Sequence, residues 1–363
     1  MNVKQFWSKI PKIYKLIGLA LTIAFSLISC QSEVATVPSN PTPIAAQSSV
    51  LLNGAGATFP IIIYQRWFQE YSQNNANVQV NYQGIGSAAG IQQMISETVD
   101  FAGSDIAMTD EEMAKVDRGV ILIPMTSGSV VIAYNLPNIA SGLRLSRDVY
   151  TDIFLGKIQR WNDSKIQQLN PNLTLPDLPI TVIHRSDGSG TTAVFTKHLS
   201  AISSEWEEKV GSGLSISWPA GVGIKSNAGV SAQIQQAEGT IGYVEYSFAQ
   251  QLGLSTAALE NRAGNYIQPS LEATANALDN LTLPDNLRAF VTNPEGEEAY
   301  PIVTYTWLLA YKTYDDPQKA KALRAVIFWA LTEGQKYSNE LGYVELSDPV
   351  AAKAKAATRG INN

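Results

Sequence analysis

A run near the middle of the chain combines cationic, hydroxyl and glycine residues in a pattern suited to binding an anion. Residues 184–192 read HRSDGSGTT and precede an amphipathic segment, residues 193–200. Glycine lets the backbone turn sharply and bring its N–H groups close to a guest. A helix starting near Ser189 would also aim unpaired N–H groups and partial positive charge at that guest. The run therefore predicts an oxyanion site with Arg185 as a charged donor.

Two further turns have the same chemistry and the same place between a strand and a helix. One contains Thr58 and Phe59, and the other contains Ser87. Each offers backbone N–H groups at a helix start and a hydroxyl that can both donate and accept. In any one turn taken alone, a helix N-cap explains the hydroxyl better than a binding role does. Three such turns in one chain, together with Arg185 and two aspartates, favour a shared site.

Other chemistries lack the partners that they need. Residues 84–90 read GIGSAAG, which departs from the dinucleotide-binding spacing, and the chain has no Walker A run. We expect His184 at a strand end and His198 on a helix surface, so we predict no metal site and no cofactor. Ser189 has neither a nucleophile-elbow context nor a supporting His–acid pair. We therefore predict a binding protein without catalytic residues.

The N-terminal residues have the pattern of a targeting segment. Four lysines precede an apolar run, residues 16–29, and no acidic residue occurs before Glu33. The pattern is that of a secretory signal, and the run is shorter than the roughly 20 residues that a spanning helix needs. Residues 27–30 read LISC, which resembles the lipobox of bacterial lipoproteins. This predicts a signal peptide over residues 1–29 and lipidation of Cys30; the alternatives are an uncleaved anchor or an ordinary buried cysteine.

Composition narrows the choice of partners. Residues 30–49 are rich in Pro, Ser and Thr and predict a flexible tether. Cys30 is the only cysteine, which excludes an intramolecular disulfide. The net charge is −6, and removal of residues 1–29 takes away four lysines and no acids, giving −6 − 4 = −10. An acidic surface argues against nucleic acid or an anionic membrane as the partner. An anion site must then rely on donors close to the ligand. This is possible because salt screens the more distant surface charges over about 10 Å.

The turns must be positioned by alternating strands and helices. The pattern predicts a helix over residues 60–73, a strand over 78–82 and a second helix through Ile91 and Ile95. This βαβ rhythm indicates an α/β fold with a mixed sheet flanked by helices. The apolar runs 120–124 and 300–303 each precede a new strand, and we interpret them as domain crossovers. We expect a discontinuous domain I, residues 50–124 plus 301–363, and a domain II, residues 125–300.

Five motifs together resemble the periplasmic phosphate-binding protein of the bacterial phosphate ABC transporter. They are GAGATFP at 54–60, YQGIGS at 82–87, DFAGSD at 100–105, RSDGSGT at 185–191 and GTIGYVEY at 239–246. The likeness runs in order from about Leu51 to about Asp348. It implies a two-domain periplasmic-binding-protein fold of type II with the anion in the cleft between domains. The predicted tether and lipobox depart from family members that are freely soluble in the periplasm.

The resemblance also implies roles for residues of domain I. Thr58 and Phe59 would bind phosphate through backbone N–H groups and the Thr58 hydroxyl, and Ser87 through its hydroxyl and N–H. Asp105 would accept a hydrogen bond from a protonated phosphate oxygen. Sulfate has no such proton, so it would bring a second negative charge against a buried carboxylate, and sites of this kind discriminate by on the order of 10⁴. The alternative for Asp105 is an N-cap or surface turn before Thr109.

From domain II, the resemblance implies that Arg185 donates to phosphate oxygens while Ser189, Gly190 and Thr191 close the cup. Asp187 would hold the Arg185 guanidinium, although a turn-forming role explains it equally well. We therefore expect a monomeric lipoprotein, outside the cytoplasmic membrane, that delivers inorganic phosphate to permease and ATPase subunits of an ABC transporter. Other tetrahedral oxyanions such as sulfate or molybdate, a phosphatase and a phosphate sensor remain alternatives.

Overall fold

Helices and strands alternate along most of the folded chain. A computed structural model describes residues 49–279 and 281–362. The predicted signal peptide, Cys30 and nearly all of the tether lie outside these residues. The strands are β1 Val50–Gly56, β2 Val78–Gly84, β3 Phe101–Ser104, β4 Val120–Tyr134, β5 Arg144–Leu145, β6 Thr181–Arg185, β7 Val222–Ile224, β8 Thr240–Glu245, β9 Ser255–Thr256, β10 Ala258–Glu260, β11 Tyr266–Ile267 and β12 Val303–Tyr311.

The helices pack on the strands and connect them. They are α1 Ile61–Asn74, α2 Ser87–Ile95, α3 Asp110–Met113, α4 Arg147–Phe154, α5 Ser164–Leu169, α6 Gly190–Ile202, α7 Ser204–Lys209, α8 Ser226–Gln236, α9 Tyr246–Leu252, α10 Leu271–Leu278, α11 Pro317–Ala330 and α12 Asp348–Ala357. Two 3₁₀ turns, Gln335–Tyr337 and Asn339–Leu341, lie between α11 and α12. Among the described residues, no helix is both long enough and apolar enough to span a bilayer.

The main sheet is mixed, in the order β2-β1-β3-β12-β4-β8-β6-β7, with β9 beside β4. β1 runs parallel to β2 and β3, and β6 runs parallel to β7 and β8. The antiparallel strands β12 and β4 join these two parallel groups. The predicted α/β class with a mixed sheet is confirmed. In each parallel group the turns after the strands lead into helices, which brings those turns to one edge.

β4 runs from one parallel group to the other as a single strand. The sequence interpretation of two separate strands here is wrong. The sequence predicts an end at Pro124 and a new strand at Val130, whereas the structure has one strand. Its first part pairs with β12 and its last part, from Val130, with β8. The register shifts beside Pro124 because Met125 is bulged. A bulge accommodates the missing N–H of proline, so the strand continues.

Aromatic clusters fix the turns against the sheet. Tyr82 packs edge-on against Tyr64 of α1 and stacks on Phe101 of β3, with ring centroids 5.1 and 6.0 Å apart. Its hydroxyl donates to the carbonyl oxygen of Ala57 at 2.8 Å. Such ring pairs contribute about 0.5–1.5 kcal/mol beyond burial. The core of this half therefore holds the turn that contains Thr58 in place.

The predicted surface position of His198 is wrong. The residue lies on α6 but is buried, with 2% of its surface exposed, and its Nε2 lies 2.8 Å from the Tyr150 hydroxyl. Burial, with the nearby charge of Arg147, lowers its pKa to about 3. His198 is therefore a neutral core residue, because the face of α6 that carries it packs inward. His184 lies in β6 near its end, as predicted.

Candidate functional site

The three predicted turns come together at the N-termini of three helices, and a fourth helix joins them. Thr58 and Phe59 precede α1, Ser87 is the first residue of α2, and Gly190 and Thr191 open α6. The side chains of Thr58, Phe59, Ser87 and Thr191 are buried, at most 3% exposed. The fourth helix is α8, which no sequence prediction assigned to the site. Helix N-termini carry partial positive charge, so their convergence favours an anion.

Backbone N–H groups at these helix starts are unpaired. Within residues 49–279 and 281–362, the N–H groups of Phe59, Ser87, Gly190 and Thr191 donate to no protein acceptor. Buried backbone N–H groups are nearly always satisfied, so an unpaired set of them is unusual. A tetrahedral oxyanion offers enough lone pairs to satisfy them together.

The N-cap explanation holds for one of the three hydroxyls. Ser189 caps α6, because its Oγ accepts from the N–H of Thr192 at 3.1 Å. Thr58 does not cap α1, which begins after Pro60 without a side-chain cap; its Oγ1 accepts from the N–H of Asn227, in the first turn of α8, at 3.3 Å. Ser87 lies one residue inside α2, and its Oγ donates to Asp105 Oδ2 at 3.4 Å. The hydroxyls of Thr58 and Ser87 therefore cap neither α1 nor α2.

Arg185 is held in one orientation by Asp187. The Nε donates to Oδ1 at 2.7 Å and the Nη2 to Oδ2 at 2.5 Å, a bidentate pair. Burial raises the pKa of Asp187, but the hydrogen bonds and charge of Arg185 outweigh it, so the pKa lies below its ordinary value. The remaining nitrogen, Nη1 of Arg185, is buried without a hydrogen bond in the described structure. Nη1 of Arg185 is therefore a charged donor that is available to a ligand.

Asp105 is a buried carboxylate among hydrogen-bond donors. It lies at the end of β3, where its backbone N–H donates to Ser87 Oγ at 3.2 Å. The hydroxyl of Thr306, on β12, donates to Oδ1 at 2.9 Å. Burial raises the pKa of Asp105 to about 7, although the Thr306 hydrogen bond and the Arg185 charge act to lower it. The N-cap alternative fails, because Thr109 caps α3 with a capping box.

Asn227, on α8, connects the two sides of the site. Its Nδ2 donates to the hydroxyl oxygens of Thr58 at 3.1 Å and Thr191 at 3.2 Å. Its Oδ1 accepts from the N–H of Glu245 at 3.2 Å, which fixes the orientation of the amide. Because both threonine oxygens accept from Asn227, their hydrogens are left for another acceptor. Residues 225–229 read KSNAG, and this polar turn before a helix was the signal available in the sequence.

The two sides approach so closely that only glycine fits at two positions. A Cβ at Gly190 would lie 2.5 Å from Ser87 Oγ and 2.7 Å from Asp105 Oδ2. Gly86 has a φ of +96°, and a Cβ there would lie 2.6 Å from the Gly188 carbonyl oxygen. The N–H of Ala88 donates to that same oxygen at 3.0 Å. The cleft is therefore closed around its donors.

Hydrogen bonds from Tyr243 of β8, from Ser247 and from Tyr343 support both sides of the site. The Tyr243 hydroxyl accepts from the Arg185 N–H at 3.0 Å and pairs with the Thr192 hydroxyl at 2.6 Å. The Ser247 hydroxyl is hydrogen-bonded with the Glu245 carboxyl group, and it donates to the Tyr343 hydroxyl at 3.1 Å. Tyr343 in turn donates to the carbonyl oxygen of Phe59 at 2.7 Å. Burial raises the pKa of Glu245 to about 8.

A cavity of about 290 Å³ lies against Asp105. Apolar residues and Lys197 form much of its wall, and the Lys197 Nζ lies 3.9 Å from the centroid of the exposed Phe290 ring. No group of three or more His, Cys, Asp or Glu side chains suited to a metal occurs in the described ranges. Of the site residues named above, only Asp105 lines this cavity. Taken together, the geometry brings directed N–H donors, the Arg185 cation and the Asp105 carboxylate to the same helix starts. Such a set can bind a tetrahedral oxyanion and tell a protonated one from an unprotonated one.

Comparison with known proteins agrees with the anion-binding geometry of the site. Residues 41–333 match the family model described as the PBP superfamily domain. A phosphate-binding protein PstS of Pasteurella multocida is 42% identical over 308 residues, covering 84% of this chain and 89% of that protein. The corresponding protein of Methanocaldococcus jannaschii is 37% identical and covers 94% of each chain.

The solved structures extend the likeness to the fold. A phosphate-binding protein from Stenotrophomonas maltophilia aligns with a TM-score of 0.67 at 17% identity, covering 85% of this chain and 94% of that one. This confirms the two-domain periplasmic-binding fold that the sequence predicts. The exact domain boundaries stay a prediction.

Proposed function

This chain belongs to the PstS family of phosphate-binding proteins within the PBP superfamily, and from that premise we propose that it binds inorganic phosphate for uptake by an ABC transporter. Its site is suited to holding an oxyanion, since the family is one of binding proteins and the cleft closes on its donors. The observation that carries the proposal is the set of buried donors without partners beside a buried carboxylate.

The donors divide between the two sides of the cleft. On one side, the N–H groups of Phe59 and Ser87 and the hydroxyls of Thr58 and Ser87 bind phosphate oxygens. On the other, the N–H groups of Gly190 and Thr191, the Thr191 hydroxyl and Nη1 of Arg185 do the same. Charge-assisted hydrogen bonds of this kind are about twice as strong as neutral ones. Asp187 positions Arg185, and Ser189 contributes by capping α6.

Asp105 determines which oxyanion is accepted. A phosphate oxygen and Asp105 can share one proton, so the carboxylate forms a hydrogen bond with the ligand in place of repelling it. Sulfate or molybdate supplies no proton near neutral pH, and an unpaired buried charge costs at least about 1–3 kcal/mol. Burial raises the pKa of Asp105 to about 7, so the carboxylate is charged, and opposes sulfate most strongly, above that pH.

The direct test is calorimetric titration of ligand-free protein with phosphate, sulfate and arsenate. We expect phosphate to bind much more tightly than sulfate. Arg185→Ala should lower phosphate affinity by at least about 2 kcal/mol, since a charge-assisted contact is lost and Asp187 is left without its partner. Arg262→Ala is a matched control, because Arg262 forms an exposed ion pair with Glu295. Unchanged phosphate binding in Arg185→Ala would refute the site assignment.

The predicted anchor and location complete the proposal. The chain acts outside the cytoplasmic membrane as a monomer, attached by a lipid on Cys30, and passes phosphate to the permease of the transporter. Replacement of Cys30 by Ser should release the protein from membranes. Continued membrane fractionation of the variant would indicate an uncleaved signal anchor.

A further inference from the structure

The outer face of α11 and α12 carries a basic groove on an otherwise acidic protein. The groove has a volume of about 660 Å³ and is lined by four cations and an exposed aromatic ring, with no acidic residue in its wall. The cations are Lys321, Arg324, Lys355 and Arg359, and the ring is that of Phe328, 49% exposed. We refer to these five residues as the basic face.

The cations of the basic face are not used in ion pairs. Other surface cations are: Lys319 pairs with Asp100, and Lys353 with Asp285. Within the described part of the chain, none of the four cations forms an ion pair with a carboxylate. Arg324 makes one hydrogen bond, from Nη1 to the carbonyl oxygen of Ile361 at 3.2 Å. Their combined charge is therefore available to a partner.

The helical spacing explains why this face is formed. Lys321, Ala325 and Phe328 recur at intervals of four and three along α11, so they share one side of that helix. Lys355 lies in the last turn of α12, and Arg359 follows it in a 3₁₀ turn, Thr358–Gly360. Ala325, Ala352 and Ala356 line the same groove as the cations and Phe328. An aromatic ring ringed by Lys and Arg is the composition of membrane-surface binding segments.

The position of the basic face relative to the start of the folded chain indicates the partner. Val50, the first residue of β1, lines a neighbouring groove together with Lys321 and Ala325. The chain that leads back to Cys30 therefore leaves the fold beside the basic face. Cys30 and Ser49 are 19 positions apart, and a chain of that length reaches at most roughly 65 Å when fully extended. A lipid on Cys30 would hold this side of the protein close to the bilayer.

We propose that the basic face binds the anionic phospholipid surface of the membrane to which the chain is tethered. The ligand cleft lies at the other end of β1, roughly 20 Å away at the rise of a strand, so it remains accessible. The net negative charge of the protein does not prevent this contact, because exposed charges act over about 10 Å in physiological salt. The proposal rests on the lipid anchor for its geometry but not on phosphate binding.

The test uses the secreted chain from Gln31 onward, which carries no lipid, with phosphatidylglycerol-containing vesicles and neutral phosphatidylcholine vesicles. We expect salt-sensitive co-sedimentation with the anionic vesicles only. Lys321→Gln/Lys355→Gln should lower the partition coefficient about 25-fold, taking about five-fold per cation near the surface. The matched control is Lys115→Gln/Lys225→Gln, which changes the net charge equally at two exposed lysines outside the groove. Phe328→Ser should weaken binding without a change of charge.

The outcomes separate this inference from the proposed function. Equal weakening by both double variants would mean that overall charge governs binding and would overturn the basic face. Failure of the wild-type chain to bind anionic vesicles at low salt would also overturn it. Binding to polyglutamate but not to vesicles would indicate an acidic protein partner and refute the lipid assignment. Phosphate titration and thermal unfolding of each variant report separately on the cleft and the fold.

Discussion

Sulfate binding is expected to depend on pH in a way that phosphate binding does not. Asp105 has a pKa raised to about 7, chiefly by burial. Below that pH the side chain carries a proton and can donate a hydrogen bond to a sulfate oxygen. Above it the carboxylate is charged and faces the sulfate directly. Sulfate therefore binds together with a proton, and its affinity must fall as the pH rises through the pKa of Asp105.

The size of the effect follows from that pKa. If only the protonated site binds sulfate, the apparent Kd is multiplied by one plus ten to the power of the pH minus the pKa. This factor is about 1.1 at about pH 6 and about 33 at about pH 8.5. Sulfate binding should thus weaken about 30-fold over this range. Phosphate brings its own proton to the same oxygen, so its affinity should change much less.

Asp105→Asn should remove the pH dependence. An amide can donate to sulfate at any pH, so the variant should bind sulfate with nearly constant affinity and more tightly than the wild type at alkaline pH. Asp177→Asn is a matched control, because Asp177 is exposed and pairs with Arg160 on the surface. The assay is calorimetric titration at constant ionic strength in a buffer without oxyanions. A constant sulfate Kd in the wild type, or a 30-fold change that persists in Asp105→Asn, would refute the reasoning.

Three further changes test other parts of the site. Asn227→Ala should weaken phosphate binding about ten-fold or more, because the two threonine hydroxyls lose the donor that orients them; an unchanged calorimetric Kd would contradict this. Gly190→Ala should nearly abolish binding, since its Cβ would lie 2.5 Å from Ser87 Oγ, whereas Gly213→Ala, with no neighbour closer than 3.5 Å, should bind as the wild type does. Glu245 has a pKa raised to about 8 by burial, so its contribution to stability is lost as the pH rises toward that value. Glu245→Gln should therefore reduce the fall in unfolding temperature between about pH 5 and about pH 9, and equal slopes in both proteins would refute the assignment.

The local chemistry of the cleft could be predicted because it depends on short segments. The turn of residues 184–192 contains its own glycines, its own cation and the aspartate that orients it. Arg185 and Asp187 are two positions apart, so their bidentate pair needs only the local turn. The α/β class likewise follows from periodicity, which is a local property of strands and helices.

Residues that act across the chain could not be predicted in this way. Asn227 binds Thr58 across 169 positions, and Thr306 binds Asp105 across 201. No spacing rule connects such pairs, because the sheet order brings them together. The sequence also predicted that a strand ends at Pro124. Pairing with β12 and with β8, which are distant in the sequence, keeps β4 continuous there.

By itself, the sequence determined the kind of ligand and one half of its site. Glycine-rich turns at helix starts, one arginine and acidic neighbours specify an oxyanion through short-range chemistry. The tertiary structure decided which hydroxyls cap the helix that follows them, since Ser189 caps α6 while Thr58 and Ser87 cap neither α1 nor α2. It also decided the protonation of Asp105, because the pKa of a carboxyl group depends on how far folding removes it from water. Burial is a property of the whole packed chain, and no segment read alone contains it.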